Sequence, residues 1–204
     1  NTLDNNKNPH SGLFSEIKQD FAGLGGDVNF IRTTTENRFY YELYPDIVGL
    51  LRAQAGYITS WGGRELRMLD HFSGGPNLVR GFASYGMGPR DTTSTTLDPL
   101  GGSIYWATTA EVQSPIWGLP SDFGMKAAVF VDAGSLWDYR GPTFYAPTGQ
   151  TIVPADSSKL RASAGVGLIW DSPFGPIRFD YAIPFSKETY DRVQEFRFSG
   201  GTRF

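Results

Sequence analysis

Apolar and polar positions alternate with a period of two along most of the chain, and apolar spacing of the helical kind is rare. The last segment is the clearest case: Phe196, Phe198, Gly200, Thr202 and Phe204 share one parity, and Glu195, Arg197, Ser199, Gly201 and Arg203 share the other. Just upstream, Ile177, Phe179, Tyr181 and Ile183 alternate with Arg178, Asp180 and Ala182. Before them, Leu160, Ala162, Ala164, Val166, Leu168 and Trp170 alternate with Lys159, Arg161, Ser163, Gly165 and Gly167, and the turn-forming "DSPFGP" joins the two runs. A further strand is expected at about 103–115, where Ile104, Trp106, Thr108, Ala110 and Val112 oppose Tyr105, Ala107, Thr109, Glu111 and Gln113. Others are expected at about 123–137, 12–22, 27–43 and 47–61, which makes eight in all. Short turns alternate with longer connections, the longest at about 62–102 and 138–158.

This pattern predicts an all-β, antiparallel, up-and-down transmembrane barrel region over residues 1–204, without a second domain. A strand crosses a bilayer with about 9–11 residues and needs apolar side chains at alternate positions only. A soluble β-sandwich shows the same alternation. The aromatic load (15 Phe, 10 Tyr, 5 Trp), the terminal Phe and the loop asymmetry favour the membrane. A net charge of −3 argues against a nucleic-acid partner. With no cysteine and only His10 and His71, thiolate chemistry and a three-histidine metal site are excluded. No nucleophile elbow, phosphate loop or metalloprotease motif is present, so no catalytic residue, metal or cofactor is expected. Asp91 and Asp98 bracket a Thr-rich loop, a weak lure for a divalent ion. The opening "NTLDNNKNPHSG" reads as the lead-in to a strand in mid-barrel.

The long loop carries the most specific chemistry. In "HFSGGPNLVRGFASYGMGPRD" (71–91), Arg80 is a lone cation between the apolar Val79 and the pair Gly81–Phe82. Such a loop tip can be an exposed turn with an incidental Arg, or it can fold back into a polar lumen and pair with acids there. Strand parity supplies two inward acids, Glu111 and Asp132, the latter between the outward Val131 and Ala133. An eight-stranded barrel that closed on itself would be filled by side chains and would expel a 40-residue loop, whereas half of a larger barrel would keep it inside. The expectation is a loop held against the inner face.

"LVRGF" (78–82), with "FSGG" before it and "GPRD" after, resembles the lumenal-loop signature of the BamA family of outer-membrane β-barrel assembly factors. "TTAEVQSP" (108–115), "VFVDAGSLWD" (129–138), "LRASAGVGLIWDSPFGPIRFDYAIPF" (160–185) and "FRFSGGTRF" (196–204) resemble the strands that follow it, strongly over about 62–204 and in outline over 1–61. The resemblance implies a loop motif of Val79, Arg80, Gly81 and Phe82, with Glu111 and Asp132 as lumenal partners of Arg80. It implies a seam at the last strand, including Phe196, Phe198, Gly200, Gly201 and Phe204. It also implies that the chain is the C-terminal half of a sixteen-stranded barrel preceded by periplasmic POTRA domains. The expected location is the outer membrane of a Gram-negative envelope, and the expected partners are its lipids, unfolded client barrels and accessory lipoproteins. A related superfamily translocator, for protein secretion or autotransporter assembly, is the alternative. A small pore or enzyme on an eight-stranded barrel is the more distant one.

Overall fold

A computed structural model describes every residue except Lys7, Leu24, Gly26, Asp27, Ser121, Asp122, 146–148, Phe174 and 201–204. Eight strands form one antiparallel sheet in chain order: β1 (Gly12–Ala22), β2 (Phe30–Tyr44), β3 (Ile47–Ser60), β4 (Ile104–Pro115), β5 (Met125–Trp137), β6 (Arg161–Ser172), β7 (Gly175–Ser186) and β8 (Phe196–Gly200). Each pairs with its neighbours in sequence, as an up-and-down meander requires. Among the described residues the helical content is confined to 3-10 turns, at Met68–Asp70 and at Phe123, and no helix is long and apolar enough to cross a membrane.

The register follows from what each parity can tolerate. On β5, Val129 and Val131 are half exposed, whereas Phe130 is 4% and Asp132 1% exposed. Tyr181, Ile183, Phe196 and Phe198 likewise point outward, while Arg178 and Asp180 are buried. A slip of one residue would bring the charged set into hydrocarbon, at about 2–4 kcal/mol for each Arg near the bilayer midplane. Phe179 packs against both Phe196 and Phe198, with ring centroids 6.4 and 5.2 Å away, and this pins β8 to β7 on the outer side. Gly201 and Phe204 lie outside the described residues.

Connections at one end are short: Pro45–Asp46, with Asp46 at φ 65°, then 116–124 and 173–174. At the other end run 61–103, 138–160 and 187–195. The first of these folds back against the inner face of the sheet. Leu78, Val79, Phe82 and Met87 of the loop form a buried cluster with Ala107 of β4 and Leu136 of β5, flanked by Phe72 and Tyr105 in edge-to-face contact. The apolar core therefore lies between loop and sheet, and not between two sheets. A Cβ at Gly134 would sit 2.7 Å from the Trp106 carbonyl oxygen and 3.1 Å from a Val79 methyl, so a glycine there lets the loop approach the wall.

The loop is tied down around its whole length. Asn77 bridges the lumen: its carbonyl accepts from Gln54 Nε2 (2.9 Å) and Arg52 Nη1 (3.4 Å) of β3, while its Oδ1 accepts from Arg197 of β8 at 3.2 Å. Near its start, the Asp70 carbonyl accepts from Arg32 of β2 at 2.6 Å. The second long connection joins in through two-residue pairing of Arg90–Asp91 with Pro154–Ala155.

The lumenal charge cluster as candidate functional site

Arg80 sits where three strands present acids. β4 supplies Glu111, β5 Asp132 and β7 Asp180, all on the inward parity. The guanidinium grips Asp132 with two parallel bonds, Nε to Oδ2 at 2.7 Å and Nη2 to Oδ1 at 2.8 Å, and the Arg80 backbone N–H donates to the same Oδ2 at 3.0 Å. Nη1 donates to Glu111 Oε2 at 2.7 Å and lies 3.7 Å from Asp180 Oδ1. The flat guanidinium also covers the Phe130 ring, 3.4 Å from its centroid, so its face is occupied as well as its edge. A planar fork is needed for this, and an ammonium could not copy it.

A second arginine completes the arrangement. Arg178 of β7 donates through Nη1 and Nη2 to both oxygens of Glu111 (3.0 and 2.8 Å) and through Nε to Asp180 (2.9 Å). Gln113 adds a bond to Glu111 Oε1 at 2.8 Å. Arg197 stands opposite Asp180 in the β7–β8 register. Arg80 and Arg178 thus bind three carboxylates directly, and Arg197, beside Asp180 in the register, brings the formal charges of the group into balance. Such balance is what buried charge requires: an isolated ion there would cost several kcal/mol of lost hydration, and removing one partner of a bonded pair exposes that cost.

The structure brings Arg80, Glu111 and Asp132 into direct contact, with Val79 and Phe82 as the buried apolar flanks of the loop tip. Gly81 adopts φ 90°, and a Cβ there would meet Pro184 Cγ at 3.0 Å, so the motif's glycine is required both by conformation and by close approach. Strand parity alone had not singled out Arg178 and Asp180, although both lie on the inward face; two opposite charges two residues apart in "IRFD" are the available signal. Arg161 was also missed. It forms a fully buried pair with Asp191 (Nε to Oδ2 3.1 Å) that anchors the connection before β8. Asp91 and Asp98 are satisfied locally, by Thr93 and by Ser94 with Thr96, and the described residues hold no acid or histidine group with metal-ligating geometry.

The Omp85 superfamily domain matches residues 1–204. The chain belongs to the Omp85 superfamily. It is 36% identical over 202 residues to the outer membrane protein assembly factor BamA of Neorickettsia risticii (strain Illinois), covering 97% of this chain and 25% of that protein. It is 29% identical over 204 residues to the sorting and assembly machinery component 50 homolog A of Xenopus laevis, covering 96% of this chain and 42% of that protein. The crystal structure of BamA from Haemophilus ducreyi lacking POTRA domains 1–3 superposes with a TM-score of 0.81 at 25% identity, over 97% of this chain and 40% of that one. The chain thus spans about a quarter of the length of its bacterial relative. This Omp85 domain is an outer-membrane β-structure, and the eight-stranded antiparallel reading of the sequence holds.

A further group ties two loops of the domain together. His71 is buried, stacks on Tyr139 with centroids 4.9 Å apart, and accepts the Arg140 N–H at Nε2 (3.1 Å) while Nδ1 faces the Arg67 carbonyl at 3.0 Å. Those partners fit a neutral ring that donates from Nδ1. Burial holds its pKa below the ordinary value, against opposing pulls from the Arg67 carbonyl and nearby acids.

Two outcomes follow. Arg80→Ala leaves Asp132 and Glu111 with reduced compensation and is expected to destabilise the folded domain by about 3–5 kcal/mol, less where water enters; Arg80→Lys should recover only part of this. Unfolding in vesicles, with a double-mutant cycle against Asp132→Asn, measures it, and strictly additive substitutions would deny direct coupling. For His71, the unfolded ring binds a proton first as pH falls. Its contribution is therefore complete above about pH 6.5 and is lost below that, by at most about 1.4 kcal/mol per pH unit, until the folded ring also titrates. Protection of the Arg140 amide against hydrogen exchange, after correction for intrinsic rate, should fall between about pH 7 and pH 5 in the parent. In His71→Phe it should not change with pH.

Proposed function

We propose that this Omp85 domain is the membrane part of an outer-membrane protein assembly factor, which folds and inserts client β-barrels. The observation that carries this is one sheet with two features. Its inner wall fixes a loop through the Arg80 cluster, and the antiparallel ladder of β8 with β7 turns the backbone groups of Phe196, Phe198 and Gly200 to the opposite edge, where a further strand can pair. An unpaired strand edge templates antiparallel addition of another strand. Gly200 contributes no side chain to packing and softens that edge.

The client in this reading is an unfolded barrel protein whose strand completes the β8 edge while outer-membrane lipid surrounds the apolar faces. Work of this kind lowers the barrier to insertion and needs no bond chemistry, cofactor or metal. The names of the two relatives, an assembly factor and a component of a sorting and assembly machinery, support it. Accessory lipoproteins and periplasmic POTRA domains complete the proposed assembly.

The test reconstitutes the full-length protein and its partner subunits into vesicles and follows the folding of a urea-unfolded client barrel. Folding at least about tenfold faster than in empty vesicles is expected, which is about 1.4 kcal/mol off the barrier, with most of that gain lost in Arg80→Ala. No acceleration, together with steady ion conductance, would instead make the domain a passive pore.

A further inference from the structure

The lead-in to β8 is held in an unusual way. The β7–β8 register pairs Tyr181 with Phe196, and the Ala182 N–H donates to the Glu195 carbonyl at 2.8 Å. Two residues further on, the same register sets Pro184 against Val193. Proline has no N–H, so the ladder with β7 stops there. In an antiparallel strand, hydrogen-bonding groups alternate between the two edges. Glu195, Arg197 and Ser199 therefore face β7, while Arg192 and Gln194 carry their backbone groups on the opposite edge, the one shared by Phe196, Phe198 and Gly200.

That edge is filled at Arg192 and Gln194 by the lumenal loop. The Gln194 N–H donates to the Gly81 carbonyl at 2.9 Å, the Ala83 N–H to the Arg192 carbonyl at 3.0 Å, and the Arg192 N–H to the Gly86 carbonyl at 2.8 Å, forming an antiparallel bridge between Phe82 and Val193. Three contacts keep the two segments in place. Gly81 rests on Pro184, Asp191 is bound to the buried Arg161, and the Arg192 guanidinium donates to the Thr96 carbonyl. The tip that carries Arg80 is thus also a short strand lying on the pairing edge of the terminal strand.

We propose that segment Gly81–Gly86 is an edge cap: it sets how far along the terminal strand an incoming antiparallel client strand can pair. With the cap seated, pairing is available from Phe196 towards Gly200 and stops before Gln194. With the cap withdrawn, the rungs at Gln194 and Arg192 open and the strand can be followed towards the 187–195 connection. This rests on the assembly reading above, since it assumes that the β8 edge receives the client.

Gly86 is the handle for a test. A Cβ there would meet the Arg192 and Ala83 carbonyl oxygens, each at 2.5 Å, so Gly86→Ala pushes the lead-in off the loop without touching the bonds of Arg80. Single cysteines at 192, 194, 196 and 198 of the full-length protein, in its complex in vesicles, are crosslinked to single cysteines along the strand of a stalled client barrel. In the parent, yields at 196 and 198 should exceed those at 192 and 194 by at least about fivefold, the measured worth of a hydrogen bond or more. In Gly86→Ala the four should become equal. Equal yields in the parent, or an unchanged pattern in Gly86→Ala, overturn the cap while leaving the assembly reading in place; loss of client folding in the parent overturns that reading itself. Hydrogen exchange on the parent without client is a second measurement that needs no variant. The Ala83, Arg192 and Gln194 amides should be protected, and free exchange at all three would also overturn the cap.

Discussion

A guanidinium cannot be carried into the wall of a membrane barrel unless its charge and its hydrogen-bond donors find partners, and the placement of Arg80 depends on that constraint. Its partners come from β4, β5 and β7, the last two separated in the sheet by β6. The loop can therefore seat only when these strands stand in the correct register and curvature. In return, the three carboxylates find their ion-pair partners only when Arg80 and Arg178 are in place. Loop position and sheet register are thus two sides of one charge balance. The apolar cluster around Val79 and Phe82 adds affinity, but it lacks the directionality of a bidentate pair and would accept a shifted loop more readily.

The membrane fixes the other side of the wall. Outward positions such as Val131, Ile183 and Phe198 tolerate hydrocarbon, and their inward neighbours Asp132, Ala182 and Arg197 do not all do so. Because the two sets alternate, the outer face selects the register that the inner face needs. Irregularity falls near strand ends: the register shifts at Ala162–Ser163 of β6 and at Glu42–Tyr44 of β2, and Pro184 where β7 gives up its ladder with β8.

Much of this was legible in the sequence. Period-two alternation locates all eight strands to within a few residues, and the parity of Glu111 and Asp132 by itself puts both acids inside. The family motif singled out Arg80 and Gly81. Arg178 and Asp180 were less legible because alternation marks a face but not which of its charges converge; that depends on sheet curvature and on a loop returning from far along the chain. The pairing of Gly81–Gly86 with 192–194 was not legible at all, since neither segment has a strand pattern and the cause lies in a single missing N–H at Pro184. His71 was read only as one of two histidines, too few for a metal; its place between two loops shows in three dimensions alone.

The central claim is that charge pairing at Arg80 holds the loop against the inner wall. A direct measurement is the distance between spin labels at Tyr85, on the loop, and Trp117, on the short turn of β4–β5, both exposed, in the full-length protein in lipid. The account predicts one narrow distribution in the parent and a broad, longer one in Arg80→Ala. The same narrow distribution in both would contradict it and assign the loop's position to apolar packing.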